Sequence, residues 1–401
     1  MPETAEKPAM PDTLSVEAYV AEVLAALTPL PAVDTPLFAA HGLVLAQDVT
    51  AALPVPPWTN SAMDGYAVRA RDTESAVPQA PVILPVAGDV PAGTAPAPLV
   101  PGTAQRIMTG AMLPENADAV VKVEDTDQAP GPPPPPAEVG IRVAARPGLN
   151  VRQAGEDVGI GDSVLTAGTF MTATAVASLA SVGLSAVRAF PRPRVAVVST
   201  GAELVDPGRV LPAGTIPDSN SLLLAGLVAE HGAALASASR SDDAAESLVM
   251  TLTEAARGAD LVITSGGVSA GAFDPLVMLA EDDGAAGGSV RLRLAKVAMQ
   301  PGRPQGHGTV RIEDGEASRQ VPVITLPGNP VSVLVSFTTV VAPALARLAG
   351  HDAVSGPPAG AGDHRTQPAR PARPSRDAPP ARARAAAAWR TPPGRRQYLP
   401  V

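Results

Sequence analysis

The residues best suited to chemistry fall in three short loops rich in glycine and hydroxyl side chains. They are Ser199-Thr200-Gly201-Ala202-Glu203, Thr264-Ser265-Gly266-Gly267-Val268-Ser269-Ala270-Gly271 and Leu326-Pro327-Gly328-Asn329-Pro330-Val331-Ser332. Glycine lets backbone approach an anion and turn its N–H groups inward, while Ser and Thr add further donors. In the last loop Asn329 can cap a helix that Pro330 begins, setting a bound anion before the positive end of that helix. One such loop is usually just a tight turn. Three on one sheet edge point to phosphate or pterin binding.

Carboxylates accompany the loops. Glu203 ends the first, Asp274 lies just past the second, and Asp242-Asp243 stand where a further strand should end. Asn60-Ser61-Ala62-Met63-Asp64-Gly65-Tyr66 offers another acid in a polar turn. Each acid alone reads as a surface residue or a helix cap. Gathered on one edge they favour a hard, oxygen-ligated cation such as Mg2+. Metal beside phosphate suggests phosphoanhydride chemistry, in which protein supplies positioning and charge and needs no covalent nucleophile.

The elements that must position these loops alternate. Arg194–Thr200, Asp260–Thr264 and Val321–Leu326 are continuous apolar runs of the kind buried on both faces of a parallel sheet. Pro322 must then sit at a strand start or an edge. Helices are expected over Asn220–Glu230, Ala244–Arg257 and Pro330 to about Leu348. Strand and helix in alternation predict a doubly wound α/β sheet with ligands at the carboxyl ends of its strands. Upstream, Ser15 to Leu27 reads as a capped amphipathic helix, and Phe170 to Gly183 as a short helix ended by glycine. Residues 40–150 read as β-rich, with a proline loop at Ala129–Pro136.

Composition narrows the function further. The 401 residues include no Cys and five His, so thiolate chemistry and sulfur-ligated metals are excluded and a zinc site is a poor match. Trp, Tyr and Phe number 2, 3 and 5, too few for single-strand stacking platforms. The formal net charge is −9, although the stretch 351–401 alone carries nine Arg against three Asp. The acidic body argues against nucleic acid, and the Pro/Arg/Ala stretch is expected to be a solvated low-complexity tail. Met1–Leu14 holds no apolar signal region and no run approaches about 20 uninterrupted apolar residues, so no membrane partner and a cytoplasmic location are expected.

Several motifs occur in order. Pro56-Pro57-Trp58-Thr59-Asn60-Ser61-Ala62-Met63-Asp64-Gly65-Tyr66-Ala67-Val68 is followed by Arg106-Ile107-Met108-Thr109-Gly110-Ala111 and Arg152-Gln153-Ala154-Gly155-Glu156-Asp157. Then come the Ser199 loop, Asp218-Ser219-Asn220, the Thr264–Gly271 loop with Asp274, Pro301-Gly302-Arg303-Pro304 and the Leu326 loop. Over about residues 14–350 this set resembles the molybdopterin molybdenumtransferases, the MoeA type also found as the gephyrin E domain. The resemblance implies Mg2+-dependent insertion of molybdate into adenylated molybdopterin, with release of AMP, by an elongated homodimer whose active site lies between subunits. Carried over by motif, Asp64, Thr109, Glu203, Asp242 and Asp274 are the expected catalytic residues. Glu203 and Asp274 are the expected holders of metal or oxyanion, and Asp64 and Thr109 are expected to reach in from the partner copy.

Substrate binding is expected at Ser199, Thr200, Gly201, Ser265, Gly266, Gly267, Ser269, Gly271, Gly328, Asn329 and Ser332, together with Asp157, Lys296, Pro301 and Pro304. The expected organisation is a helical or linker part from residues 14–39 and 150–190, and a β-rich part over 40–149. An α/β (MogA-like) part follows over 191–350, and the tail over 351–401 stands where the family places a small β-barrel. Gln300 departs from the family pattern, where Lys is common. With the missing barrel, that keeps a catalytically weak pterin-binding scaffold as the alternative. The preceding adenylyltransferase step is a third reading, against which the Asp64 motif speaks.

Overall fold

The computed structural model describes residues 13–351 except 132–133, 268–275, 278, 280–288 and 315–316. Ser269, Gly271 and Asp274, and the tail from 352 onward, therefore lie outside the described residues.

Ser15 opens the first helix as expected, its Oγ accepting the Ala18 N–H at 3.1 Å ahead of α1 (Val16–Ala25). The buried side of α1, Tyr19 and Val23, packs with Leu27 into the cluster that contains Val195, Val197, Leu261 and Ile263. The first helix thus covers the α/β sheet. Residues after it belong elsewhere: β1 (Val33–Pro36), α2 (Leu37–Ala40), β2 (Val44–Leu45) and β3 (Val49–Thr50) meet the chain again near residue 165. There β11 (Ser163–Leu165) pairs with β3, β12 (Ala186–Phe190) lies between β1 and β2, and α3 (Ala173–Ser181) packs over them through Ala175 and Leu179. This region holds more strand than the helical reading expected, because its short Val-rich segments find pairing partners far along the chain.

The β-rich part is built around β5 (Gly65–Val68), flanked by β4 (Asn60–Ser61), β6 (Val82–Val90), β7 (Ala104–Ile107), β8 (Ala119–Lys122), β9 (Glu138–Ile141) and β10 (Val151–Arg152). Five of these form a sheet in the order β8-β5-β7-β6-β9, while β4 pairs with β10. Alternation decides its two faces: Tyr66 and Val68 enter one cluster with Val121 and Ile141, and Ala67 enters another with Ile107 and Val120.

From residue 194 the alternation becomes α/β: β13 (Arg194–Thr200), β14 (Leu204–Val205), β15 (Ile216–Pro217), α4 (Asn220–Glu230), β16 (Ala234–Ser241), α5 (Ala245–Arg257) and β17 (Leu261–Ser265). After the undescribed stretch come β18 (Val290–Lys296), β19 (Pro304–Asp314), β20 (Ala317–Leu326), α6 (Pro330–Ser336) and α7 (Ala342–Leu348), the two helices joined by a π-helical turn at Phe337–Val341. The six-stranded order is β16-β13-β17-β20-β19-β18: the first four strands are parallel, β19 runs against them, and β18, antiparallel to β19, runs with the four. The doubly wound expectation needs that amendment. Both faces are covered: Val195 and Val197 pack with α1, α4 and the 330–348 helix, and Ala196 and Val198 with Leu248 and Leu252 of α5. Each fully buried Val, Leu or Ile contributes about 1.5–3 kcal/mol, so these clusters hold the strand ends in place.

Pro322 sits inside β20 yet costs no ladder bond to β17, whose pairing begins only at Val323. At that level β20 is an edge. The helix from Pro330 to Leu348 is 19 residues long and apolar enough to cross a bilayer by length and composition. Its Val333, Phe337, Val341 and Leu345 are instead in the core against the sheet.

Candidate active site

The parallel strands end on one edge at Thr200, Ser241, Ser265 and Leu326. Antiparallel pairing brings two more positions to that edge, because Gly306 is opposite Thr325 and Lys296 is opposite Pro304. Of the residues singled out for substrate binding, Ser199, Thr200, Gly201, Ser265, Gly266, Gly267, Gly328, Asn329, Ser332, Lys296, Pro301 and Pro304 gather there by topology. Asp157 belongs to another part of the fold: its N–H is bonded to the Val55 carbonyl at 3.0 Å and its side chain is exposed.

The loops touch through backbone. Gly266 has φ +91°, its N–H donates to the Leu326 carbonyl at 3.0 Å, and a Cβ there would meet the Thr200 carbonyl oxygen at 2.5 Å. A Cβ at Gly328 would stand 3.4 Å from the Gly266 Cα. At Gly266 only glycine allows this approach, while the Gly328 contact is an ordinary van der Waals one. Beneath the loops, on the α4 face, Ser199 Oγ donates to Asp218 Oδ1 at 3.2 Å and lies 3.4 Å from Ser265 Oγ, all three residues being buried. Asn329 caps α6, its Oδ1 accepting from the N–H groups of Val331 at 3.0 Å and Ser332 at 3.3 Å. The helix therefore offers an anion its partial positive charge, and the donors counted on for direct bonds are already engaged.

Charge at this edge comes from both signs. Lys296 is half-buried at the end of β18, its backbone straddled by Leu14, which donates to the Lys296 carbonyl and accepts from the Ala298 N–H, each at 2.8 Å. Glu203 is exposed, and its carbonyl accepts the Ile216 N–H at 2.9 Å. Asp242 accepts the Ala244 N–H ahead of α5 at 3.1 Å, while its neighbour Asp243 reaches the Ala202 N–H at 3.4 Å. Asp243 thus touches the first loop. Among the described residues no group of three or more His, Asp or Glu stands close enough to cage a metal ion. Mg2+, though, commonly uses one or two carboxylates plus substrate phosphates and water. Glu203 at the rim fits that pattern, and Asp274 lies outside the described residues.

A second constellation forms in the β-rich part. Asp64 Oδ1 accepts both the Thr109 N–H at 2.6 Å and the Thr109 hydroxyl at 2.7 Å. The amide, and after it the hydroxyl, hold the Asp64 carboxyl below the ordinary carboxylate range, against a small opposing effect of burial. The turn is set by close backbone approach: a Cβ on Gly65 would fall 2.0 Å from the Val121 carbonyl oxygen. Ser61 locks the neighbouring loop, its Oγ donating to the Met63 carbonyl at 2.5 Å and its carbonyl accepting the Gly110 N–H at 2.8 Å. Both Asp64 and Thr109 are exposed, and the side chains of Trp58, Met63 and Met112 are exposed close by in sequence.

The turn at Gln300–Pro301 is anchored by a residue that sequence reasoning missed. Gln305, fully buried, donates through Nε2 to the Gly302 carbonyl and to Ser336 Oγ, both at 2.6 Å. Asp218 and Asn220 were noticed only as part of an ordered motif. Nothing in the sequence marks that acid as buried.

Residues 14–183 match the MoeA N-terminal region (domain I and II), and residues 196–347 match a probable molybdopterin binding domain. The chain is 46% identical over 336 residues to molybdopterin molybdenumtransferase 2 of Mycobacterium tuberculosis, covering 83% of this chain and 78% of that one. It is 38% identical over 316 residues to the molybdopterin molybdenumtransferase of a Nostoc species, covering 78% and 69%. A crystal structure of the molybdopterin biosynthesis MoeA protein of Pyrococcus horikoshii superposes with a TM-score of 0.68 at 34% identity, over 85% of this chain and 81% of that one. The chain belongs to the molybdopterin molybdenumtransferase family, the transferases of molybdenum cofactor biosynthesis.

Proposed function

We propose that the sheet edge binds adenylated molybdopterin and molybdate and that the chain transfers molybdenum to the pterin with release of AMP. The observation that carries this reading is the convergence of three glycine loops, Lys296 and Glu203 on one edge of one sheet. The substrate carries a phosphoanhydride, and molybdate is itself an oxyanion, so both need closely placed donors with neutralising charge. The backbone around Gly201, Gly266 and Gly328 lets phosphate approach closely, Ser and Thr hydroxyls orient it, and Lys296 balances its charge. Glu203 with Asp274 would hold Mg2+. When bound, that ion neutralises charge on phosphate oxygens.

Asp64 and Thr109 stand on a different hydrophobic core from the sheet edge, and both are exposed. That supports a homodimer in which this pair from one copy completes the edge of the other; a cytoplasmic location is part of the proposal. Incubation with adenylated molybdopterin, molybdate and Mg2+, following AMP release and active cofactor, tests the whole reading. Tight pterin binding without AMP release would select the scaffold instead, and ATP consumption with bare molybdopterin the adenylyltransferase.

A further inference from the structure

A single turn is bonded to two of the three loops of the sheet edge and is linked to the other through one serine. Residues 218–221 leave β15, which pairs in parallel with β14 just after the Ser199–Glu203 loop, and the Asp218 N–H donates to the Val205 carbonyl at 2.9 Å. The Asp218 side chain is 4% exposed. Its Oδ1 accepts Ser199 Oγ at 3.2 Å and the Ser221 N–H at 3.0 Å, at the positive end of α4. Ser199 Oγ is also 3.4 Å from Ser265 Oγ, which carries the contact to the second loop. Two residues on, Asn220 Nδ2 donates to the Gly328 carbonyl at 2.8 Å, which reaches the third loop. Asn220 Oδ1 is buried with no hydrogen-bond partner, so this amide is held by one bond and has no second to fall back on.

Resting on the substrate reading above, we propose that the Asp218–Asn220 turn is a positioning clamp that fixes the spacing of the three loops around the bound substrate. Asp218 acts through Ser199 and Ser265, and Asn220 acts through the Gly328 carbonyl. Neither side chain touches substrate. A carboxylate under Ser199 forces that hydroxyl to donate downward, leaving its lone pairs for Ser265, so the two strand ends sit at one separation. An amide donor on the Gly328 carbonyl turns that peptide so that its C=O points away from an anion held over the loop. Loss of either bond lets a loop drift, and small misplacement is enough to lower affinity and rate together.

Four variants test the clamp: Asp218→Ala, Asp218→Asn, Ser199→Ala and Asn220→Asp. KM for adenylated molybdopterin and kcat for AMP release are measured on each, with thermal melting to confirm folding. Asp218→Ala and Ser199→Ala are each expected to raise KM about tenfold, the effect of one hydrogen bond. Because both remove the Ser199–Asp218 bond, the double variant should fall well short of the product of the two single effects. Asp218→Asn keeps an accepting oxygen and should stay within about threefold of the parent. Asn220→Asp sets a carboxylate against the Gly328 carbonyl and should raise KM at least as much as Asp218→Ala. A purely structural turn would lower the melting temperature and leave KM of the folded fraction unchanged. That result, or multiplicative effects in the double variant, overturns the clamp. If Asp218→Ala does not fold, Ser199→Ala and Asn220→Asp carry the test alone. An inactive parent protein would overturn the substrate reading, whereas an active parent with unmoved variants would overturn the clamp.

Discussion

The sheet edge and the Asp64–Thr109 turn both set acids beside hydrogen-bond donors, but they are held differently. At the edge each loop continues a strand buried on both faces, and the contacts between loops run through backbone and buried hydroxyls. At the turn one exposed carboxylate takes two bonds from one exposed threonine. The first arrangement can fix a polyanion in one pose. The second is a small preformed acid that something else must come to meet. The difference is the physical argument for a site divided between two copies, and the largest predicted effect tests it. Asp64→Ala and Glu203→Ala should each abolish AMP release. An equal mixture, allowed to exchange subunits, should regain about a quarter of parental activity, since half the dimers carry one intact site of two. A mixture that stays inactive while exchange is verified by mass would place both acids in the same copy's site.

Two glycines sharpen the contrast. Gly266→Ala places a Cβ 2.5 Å from the Thr200 carbonyl oxygen at φ +91°, so two loops must part. Activity is expected to fall about a hundredfold or more with stability lowered by only about 1–2 kcal/mol, because the strain is confined to the rim. Gly65→Ala drives a Cβ to 2.0 Å from the Val121 carbonyl oxygen inside a five-stranded sheet. There the cost is stability, about 2–3 kcal/mol, and Asp64 moves with the strand. Thermal melting and AMP release on the same preparations separate the two patterns. Equal stability losses would mean the edge is no more preorganised than the turn.

Much of the sheet was legible in the sequence, and the reasons are specific. Val195–Val198 and Leu261–Ile263 are short apolar runs rich in β-branched residues and followed by Ser, Thr and Gly, and that length, composition and flank mark buried strands rather than helices. The helix at Asn220 is bounded by Gly232, and the helix at Asn329 has both its cap and its first-turn proline. What escaped was pairing at a distance. Val290–Lys296 alternates Arg and Leu as a strand should, but its antiparallel partner and register depend on residues 304–310, and so does the arrival of Lys296 at the site. The placement of α1 was hidden for the same reason, since Tyr19 and Val23 show a buried face without saying which core receives it. Asp218 and Gln305 were invisible as buried polar residues because burial of a polar side chain leaves no mark in local pattern.

Lys296 gives a smaller, graded test. On the proposed reading it balances phosphate charge at the edge, so Lys296→Ala should raise KM about tenfold at low salt. The penalty should shrink as ionic strength rises, because added ions screen the attraction that the parent alone enjoys. Measurement of KM from low to physiological salt checks this. A penalty independent of salt would assign Lys296 to packing.

The smallest effect lies at the turn itself and follows from the two bonds to Asp64. Its folded pKa is depressed, so any stability it lends is present above the ordinary value of about 3.9 and is lost as pH falls through the folded value. The side chain is exposed, and solvent screening keeps that contribution minor. Thr109→Val removes the hydroxyl but leaves the backbone N–H, the larger of the two causes. Asp64 should therefore titrate part of the way back toward its ordinary value, and the acid limb of AMP release should rise by the same amount, with little change at neutral pH. Carboxyl-carbon NMR of labelled Asp across pH 2–6 reads the first shift, and the rate profile reads the second. If Asp64 moves and the profile does not, its ionisation is not required for turnover, and the turn contributes shape rather than charge to the joint site.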